Sequence, residues 1–302
     1  MDVALAGAQP LSVVVAAWNS PALLRSCLQS LAVAGGELEI VVACPAERGF
    51  NELLAVEFPT VIRATLGPTA TVPQLRKAGL ARASGDIVAF IEDHATVAPE
   101  WAAALRAGYE ADDRAALGGP VAQGAGLSSV DWAAYLFDYG RFMPPHHGGP
   151  VPELSGLNMS FARSLLDGMG EVLRDGVFEG ALHQELARRR VALYVAPSAI
   201  VCQNKRFSLR QALSSVYYLG RGYAGRRLAH AGRIARLARA AACPLLPVVL
   251  LWRILSVVLP KGRDTWRVMR SLGFLAMIAL SWSAGECVGC LAGSGDSDSR
   301  WR

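Results

Sequence analysis

Residues 73–105 read PQLRKAGLARASGDIVAFIEDHATVAPEWAAAL, and this stretch decides the fold. It predicts a helix, a tight turn at Gly85 and a buried strand over residues 86–91, because an apolar run of strand length bounded by glycine marks a central parallel strand. Three polar residues, Glu92, Asp93 and His94, follow where the strand stops, and Pro99 and Trp101 open the next helix. In open α/β sheets ligands collect beyond the carboxyl ends of such strands, so this cluster stands where a ligand binds. Two carboxylates and an imidazole in consecutive positions suit Mg²⁺ or Mn²⁺, which prefer oxygen ligands with some nitrogen. The plainer alternative is a solvated strand-end loop.

Upstream, residues 11–17 form a β-rich apolar run followed by Trp18, Asn19 and Ser20, with Pro21 in the first turn of a helix reaching Leu31. Ser20 is placed either to cap that helix or to contact a ligand. A second strand is expected over residues 39–43, followed by Cys44 and Pro45, then a short helix over 49–57 and a third strand over 60–64. The helix carrying Arg76 and Lys77 comes next, and its charges either offset a phosphate or form a solvated basic face. Downstream, a helix over 98–109 and a strand over 115–121 lead into the Gly-rich GGPVAQGAG and an aromatic helix over 130–139. Residues 141–152 lack periodicity and are expected to form a mobile loop near the site; its His146 and His147 are either metal ligands or, more simply, incidental. The segment ELSGLNMSFARSLLDGMG then predicts a short strand into a helix. After it, Glu179 and His183 stand one helical turn apart and face the same way. The last strands are expected over 191–201, ahead of Cys202, Gln203 and Asn204.

Taken in order over residues 11–205, these segments resemble the family-2 glycosyltransferases. The resemblance implies an α/β fold of the GT-A, Rossmann-like type, a mostly parallel sheet flanked by helices, occupying residues 1–205. Trp18 and Asn19 take the places that lie against the donor base, and Arg76, Glu92 and Asp93 fall on the donor's diphosphate side. Asp93 and His94 are the implied metal ligands, for Mg²⁺ or Mn²⁺. Gly156, Asn158, Ser160 and Phe161 match the acceptor-side segment, which His183 joins from the next helix. Glu179 is the implied catalytic base; a carboxylate favoured by the helix dipole is the alternative for it. Several positions depart from the family pattern. Glu92 and His94 replace both carboxylates of the usual Asp-x-Asp, Cys44 replaces the Asp that reads the base, Gly180 replaces an Asp, and the late His is missing at residues 202–204. Residues 203–207 offer one substituted copy of the processive-synthase signature Gln-x-x-Arg-Trp, with Phe207 in place of Trp. The implied function is inverting transfer of a hexosyl group from a nucleotide-sugar donor to a lipid-linked or saccharide acceptor, in the chemistry of the cell envelope. The competing reading is a membrane-tethered binding or scaffold protein whose transferase domain has lost activity; the departures favour it, whereas Glu179 and an apparently complete sheet oppose it.

Composition directs attention to the C-terminal third. Of 302 residues 52% are hydrophobic and 18% charged, and the mean hydropathy of +0.29 is high for a soluble protein, so some apolar surface is expected to meet lipid. The formal net charge is +5, with the basic residues concentrated over 205–270. Beside apolar segments, that patch fits an anionic membrane surface better than nucleic acid. The six cysteines show no paired framework, which implies reduced thiols; Cys287 and Cys290 have C-x-x-C spacing but no second pair, and so read as a helix face. The N-terminus shows no basic start and no cleavage site, so the catalytic domain is expected on the cytoplasmic side of the cell membrane. Gly220, Gly222 and Gly225 spell G-x-G-x-x-G, yet no strand precedes them, so a dinucleotide fingerprint is rejected. Arg226, Arg227, Arg233, Arg236 and Arg239 are expected to spread evenly around a helix over 206–243. Two apolar runs follow within 244–293, interrupted by Arg253 and Glu286, ahead of a disordered tail over 294–302. If both runs crossed the membrane, the loop with Lys261, Arg263, Arg267 and Arg270 would lie outside against the positive-inside preference. A shallow or re-entrant hairpin avoids that conflict.

Overall fold

Leu11–Ala16 (β1) reads LSVVVA, and each of its six residues is buried because parallel neighbours flank it on both edges. The protein is described by a computed structural model, which covers residues 10–111 and 116–300. In chain order β1 is followed by α1 (Pro21–Val33), β2 (Leu38–Pro45), α2 (Phe50–Glu57), β3 (Ile62–Leu66), α3 (Val72–Leu80), β4 (Ile87–Glu92), β5 (Ala95–Val97), α4 (Trp101–Glu110), β6 (Ala116–Gly118), β7 (Val121–Gln123), α5 (Ser129–Tyr139) and β8 (Gly149–Val151). Then come β9 (Met159–Ala162), α6 (Arg163–Asp167), α7 (Glu179–Arg188), β10 (Leu193–Val195), β11 (Val201–Gln203), α8 (Leu209–Arg227), α9 (Arg233–Ala242), α10 (Leu246–Val258) and α11 (Thr265–Ala292). Two units result. One comprises the chain up to Gly124 with Pro144–Asn204, and the other Ala125–Met143 with the chain from Lys205 onward.

The first unit is built on an eight-stranded sheet of order β3-β2-β1-β4-β9-β6-β10-β8, in which β9 and β8 run against the other six strands. Its core joins Val14, Val88, Phe90 and Phe161 to Leu166, Leu182 and Leu186 from the helices. The mostly parallel α/β architecture expected from the sequence is present. Local differences have local causes. The described part of the expected strand over 115–121 is divided, because Pro120 has no N–H to continue a ladder: β6 stays in the large sheet, while β7 joins a second sheet of order β5-β11-β7. Residue 115 lies outside the described residues. The aperiodic stretch 141–152 ends in β8, which pairs antiparallel with β10 instead of remaining a loop.

At the amino end of the sheet, Glu39 ties β2 to β1 and to the turn before β4. It accepts from the Ser12 hydroxyl, from the Ser84 amide at 2.7 Å and from the Ser84 hydroxyl at 2.5 Å. Burial alone raises the Glu39 carboxyl, but the Ser12 and Ser84 hydroxyls and the Ser84 and Gly85 amides outweigh it and hold the group below its ordinary value.

In the second unit α11 packs on α8 and α5. A Cβ on Gly285 would lie 2.0 Å from the Tyr217 carbonyl oxygen, one on Gly289 2.4 Å from that of Arg221, and one on Gly220 2.6 Å from that of Trp282. Small residues therefore let the two backbones touch, and the G-x-G-x-x-G segment belongs to a helix-packing face. The expected even spread of arginines is corrected. Helix α8 ends at Arg227 and α9 begins at Arg233, so the wheel is interrupted. Within α9, helical spacing gathers Arg233, Arg236 and Arg239 on one side and Ile234, Leu237, Ala238 and Ala241 on the other. Cys243 and Cys290 are buried together, with Cys287 packed against them. Two helical stretches, Arg233–Lys261 and Thr265–Ala292, are long and apolar enough to cross a membrane.

Candidate active site at the strand ends

The carboxyl ends of β1 and β4 lie side by side, with Ala16 paired to Glu92, so the loop after β1 meets the residues after β4. Asp93 is completely buried and reaches into that loop. Its Oδ2 accepts from the backbone N–H groups of Trp18 at 3.0 Å, Asn19 at 2.6 Å and Ser20 at 3.2 Å, while Oδ1 accepts from Asn19 Nδ2 at 2.6 Å. These amides lead into α1, whose N-terminus favours an anion. Ser20 caps that helix by accepting from the Leu23 amide at 3.3 Å.

The same Asn19 Nδ2 stands 3.2 Å from His94 Nδ1, so one amide group faces both Asp93 and His94. His94 is buried, and its backbone oxygen accepts from the Asn204 amide at 2.9 Å. Asn204 thus steadies His94 from the end of β11, at the position where the family resemblance lacks its late His.

Arg76, only 4% exposed, brings three segments together. Its Nη2 donates to Glu92 Oε1 at 2.9 Å and to the Gly156 oxygen at 2.9 Å, and its Nη1 stands 3.5 Å from Glu179 Oε2. Its Nε is buried with no hydrogen-bond partner. Glu179 is the first residue of α7, and its side chain remains 51% exposed. A Cβ on Gly156 would fall 1.5 Å from Glu179 Oε2, so glycine is what leaves room for the carboxylate there.

On the other side of the β1 loop, the Arg48 guanidinium lies 3.9 Å over the Trp18 ring and donates to the Trp18 oxygen at 2.7 Å. Cys44, buried at the end of β2, has its sulfur 3.7 Å from Asn51 Oδ1. Burial pushes that thiol up to about 11, so at neutral pH it offers a weak donor and no negative charge. Sequence reasoning missed Arg48, for which no spacing or motif gives a signal, and it passed over Asn204 as a departure.

The structure brings Trp18, Asn19, Arg76, Glu92, Asp93, His94, Gly156 and Glu179 into one connected set. Asn158 lies beneath it, fully buried: its Oδ1 accepts from Trp101 Nε1 at 3.0 Å, and its Nδ2 donates to the oxygens of Ala199 at 2.7 Å and Pro120 at 3.2 Å. His183 is buried on α7, one turn beyond Glu179. His146 makes a local contact, with Nδ1 accepting from the Gly148 amide at 3.2 Å.

Among the described residues no three His, Cys, Asp or Glu side chains are arranged to hold a metal ion. The nearest approach centres on His94 Nδ1, 3.7 Å from both Glu92 Oε2 and Asp93 Oδ1. Divalent cations that serve phosphate chemistry need only one or two protein ligands when substrate phosphates complete the shell. Glu92, Asp93 and His94 can supply that limited role between them; Asp93 Oδ2 is already taken by three backbone N–H donors, and Asn19 Nδ2 reaches both Asp93 Oδ1 and His94 Nδ1.

No family model and no curated protein matches the chain. Solved structures do resemble it. A mannosyltransferase from Pyrobaculum calidifontis, in complex with GDP-mannose and Mn²⁺, aligns with a TM-score of 0.53 at 18% identity, over 91% of this chain and 87% of that one. GalNAc-T7 with UDP, GalNAc and Mn²⁺ aligns with a TM-score of 0.50 at 14% identity, over 67% of this chain and 45% of that one. The chain therefore has the mixed α/β architecture of the GT-A glycosyltransferases, with two apolar helices at its C-terminal end.

Proposed function

We propose that the protein is an inverting glycosyltransferase of the family-2 type, moving a hexosyl group from a nucleotide-sugar donor to a lipid-linked or saccharide acceptor held at a membrane. The observation that carries this reading is Arg76, whose one guanidinium joins Glu92, Gly156 and Glu179 at the strand ends of a GT-A-like sheet. The two similar structures hold nucleotides or a nucleotide-sugar together with Mn²⁺, which supports the same class of donor here.

Trp18, Asn19 and Arg48 then line the base side of the donor, and Arg76 faces its diphosphate side. Asp93 serves by fixing the loop that carries Trp18 and Asn19. Glu92 and His94 would hold Mg²⁺ or Mn²⁺, which supplies positive charge to offset the diphosphate when bound. Glu179, at the start of α7 and 3.5 Å from Arg76 Nη1, takes the proton from the acceptor hydroxyl. The acceptor oxygen then attacks the anomeric carbon, and the bond from that carbon to the diphosphate breaks with its electron pair on the phosphate oxygen. Gly156 gives Glu179 its place on the acceptor side, while Asn158 holds that segment from below and His183 backs it from α7. The basic, apolar second unit supports a seat at the cytoplasmic face of the cell membrane, on anionic lipid.

A panel of nucleoside diphosphates tested by thermal shift with Mg²⁺ or Mn²⁺ examines this reading. One nucleotide is expected to raise the melting temperature in a metal-dependent way and to identify the donor for a hydrolysis screen. If none stabilises the protein under any metal condition, the transferase reading fails and the tethered scaffold reading takes its place.

A further inference from the structure

We propose that α9, α10 and α11 lie flat in a single leaflet, exposed apolar residues toward the acyl chains, and that no part of this hairpin crosses the bilayer. The inference rests on the membrane association proposed above and specifies its geometry.

Both arms expose apolar residues, α11 on one side and Arg233–Lys261 over most of its surface, only 17% of its apolar stretch being buried. Along Arg233–Lys261 these include Ile234, Val248 and Trp252, at 85%, 69% and 69% exposure; along α11 they include Trp266, Met277 and Leu280. The other side of α11 is covered by elements of the same unit. Phe137 of α5 packs at a tilt against Trp282, ring centres 5.6 Å apart, Arg267 lies 5.6 Å over Trp132 of α5, and Ser281 Oγ donates to the Leu213 oxygen of α8 at 2.8 Å. The turn of the hairpin is covered too, since Lys261 Nζ donates to the Met143 oxygen.

Helix length turns this packing into an argument about depth. The start of α11 and Ser281 are separated by about 24 Å of helix, most of the ~30 Å hydrocarbon thickness. A crossing hairpin would place these two points near opposite faces of the bilayer and carry the α8 and α5 residues packed between them to the same depths. Helix α8, with Arg210, Arg221, Arg226 and Arg227, cannot follow α11 into hydrocarbon.

Charge agrees. From Lys205 onward the chain carries sixteen Lys and Arg against four Asp and Glu, complementary to an anionic leaflet. Arg253, exposed in the middle of α10, would stand at the bilayer centre in a span but at headgroup depth in a flat helix. Arg236 donates to the carbonyl oxygens of Cys290 at 2.7 Å and Leu291 at 3.0 Å, closing the open end of the hairpin. The basic turn then needs no passage across the membrane.

The test uses full-length protein bound to mixed phosphatidylethanolamine and phosphatidylglycerol liposomes. A fluorescent amino acid is placed singly at Val248, Trp252, Leu259, Met277 or Leu280, all exposed, and quenched by lipids carrying a nitroxide at shallow or deep positions. A flat hairpin gives the same shallow depth at all five sites. A label at Gly262 is also expected to be reached by an impermeant quencher on the side to which protein was added. Depth that grows toward Val248 and Trp252, with the Gly262 label protected, overturns the proposal while leaving membrane association intact. Failure to co-sediment with the liposomes at all would remove both.

Discussion

Arg76 Nη2 lies 2.9 Å from Glu92 Oε1, and the two side chains form an ion pair that is largely sealed from water, at 5% and 18% side-chain exposure. Removing one member of such a pair leaves an uncompensated charge, whereas the intact pair adds little net stability. Arg76→Met is therefore expected to lower the unfolding free energy by about 3 kcal/mol in urea titration. Arg76→Lys restores the charge without the fork of donors and is expected to recover part of the stability but not nucleotide affinity. Wild-type stability in Arg76→Met would show that Glu92 is paired elsewhere.

Asp93 offers a second, separable test. Its four accepted hydrogen bonds all serve the loop after β1. Asp93→Asn keeps the shape but turns an NH₂ group toward N–H donors, at a cost of about 3 kcal/mol for charge-assisted bonds lost and donors left unpaired. Nucleotide binding is expected to weaken with or without metal, because the loop carrying Trp18 and Asn19 is released. If binding falls only when metal is present, Asp93 acts as a metal ligand after all.

Acid stability should report on Glu39. Its folded carboxyl is held below the ordinary value of 4.5, so the unfolded chain binds the proton more readily. The stability it contributes is complete above 4.5 and is lost as pH falls through the lower folded value. Glu39→Gln is expected to lower stability at neutral pH and to flatten the pH dependence below 4.5. An unchanged acid slope in chemical denaturation would mean that other carboxylates govern it.

The sheet was legible because β1 and β4 are short β-branched runs closed by turn residues, and burial on both faces leaves no polar alternation to confuse them. The site was legible as positions, since Asn19 and Asp93 both follow such runs. Division of labour among its residues was not: nothing in a sequence says that a strand-end carboxylate will spend both oxygens on a neighbouring loop. Arg48 was invisible because its contact with Trp18 spans two loops. The arginine pattern of α9 was misread because a helical wheel drawn from Arg226 runs through the break at residues 228–232. The glycines of α8 and α11 carry meaning only once each helix has its partner.

The position of Glu179 is the sharpest point at which to test the chemistry. Glu179→Gln keeps the shape and removes the basicity, so sugar transfer is expected to fall by about 10²–10⁴ while donor binding stays unchanged. Gly156→Ala leaves the carboxylate in the protein but places a Cβ 1.5 Å from where Oε2 now stands, so the group must swing aside. A displacement of that size is expected to cost transfer about 10²-fold, and because the same Cβ would fall 2.8 Å from Arg76 Nη2 a smaller loss of donor affinity is expected beside it. Glu185 is the control: it lies on the same helix, pairs with Arg188 and Arg189 at 2.7 Å, and has no contact with the set around Arg76, so Glu185→Gln should transfer sugar at the normal rate. Normal transfer by Glu179→Gln would remove it as the base. Normal transfer by Gly156→Ala beside an inactive Glu179→Gln would show that the carboxylate works from more than one position.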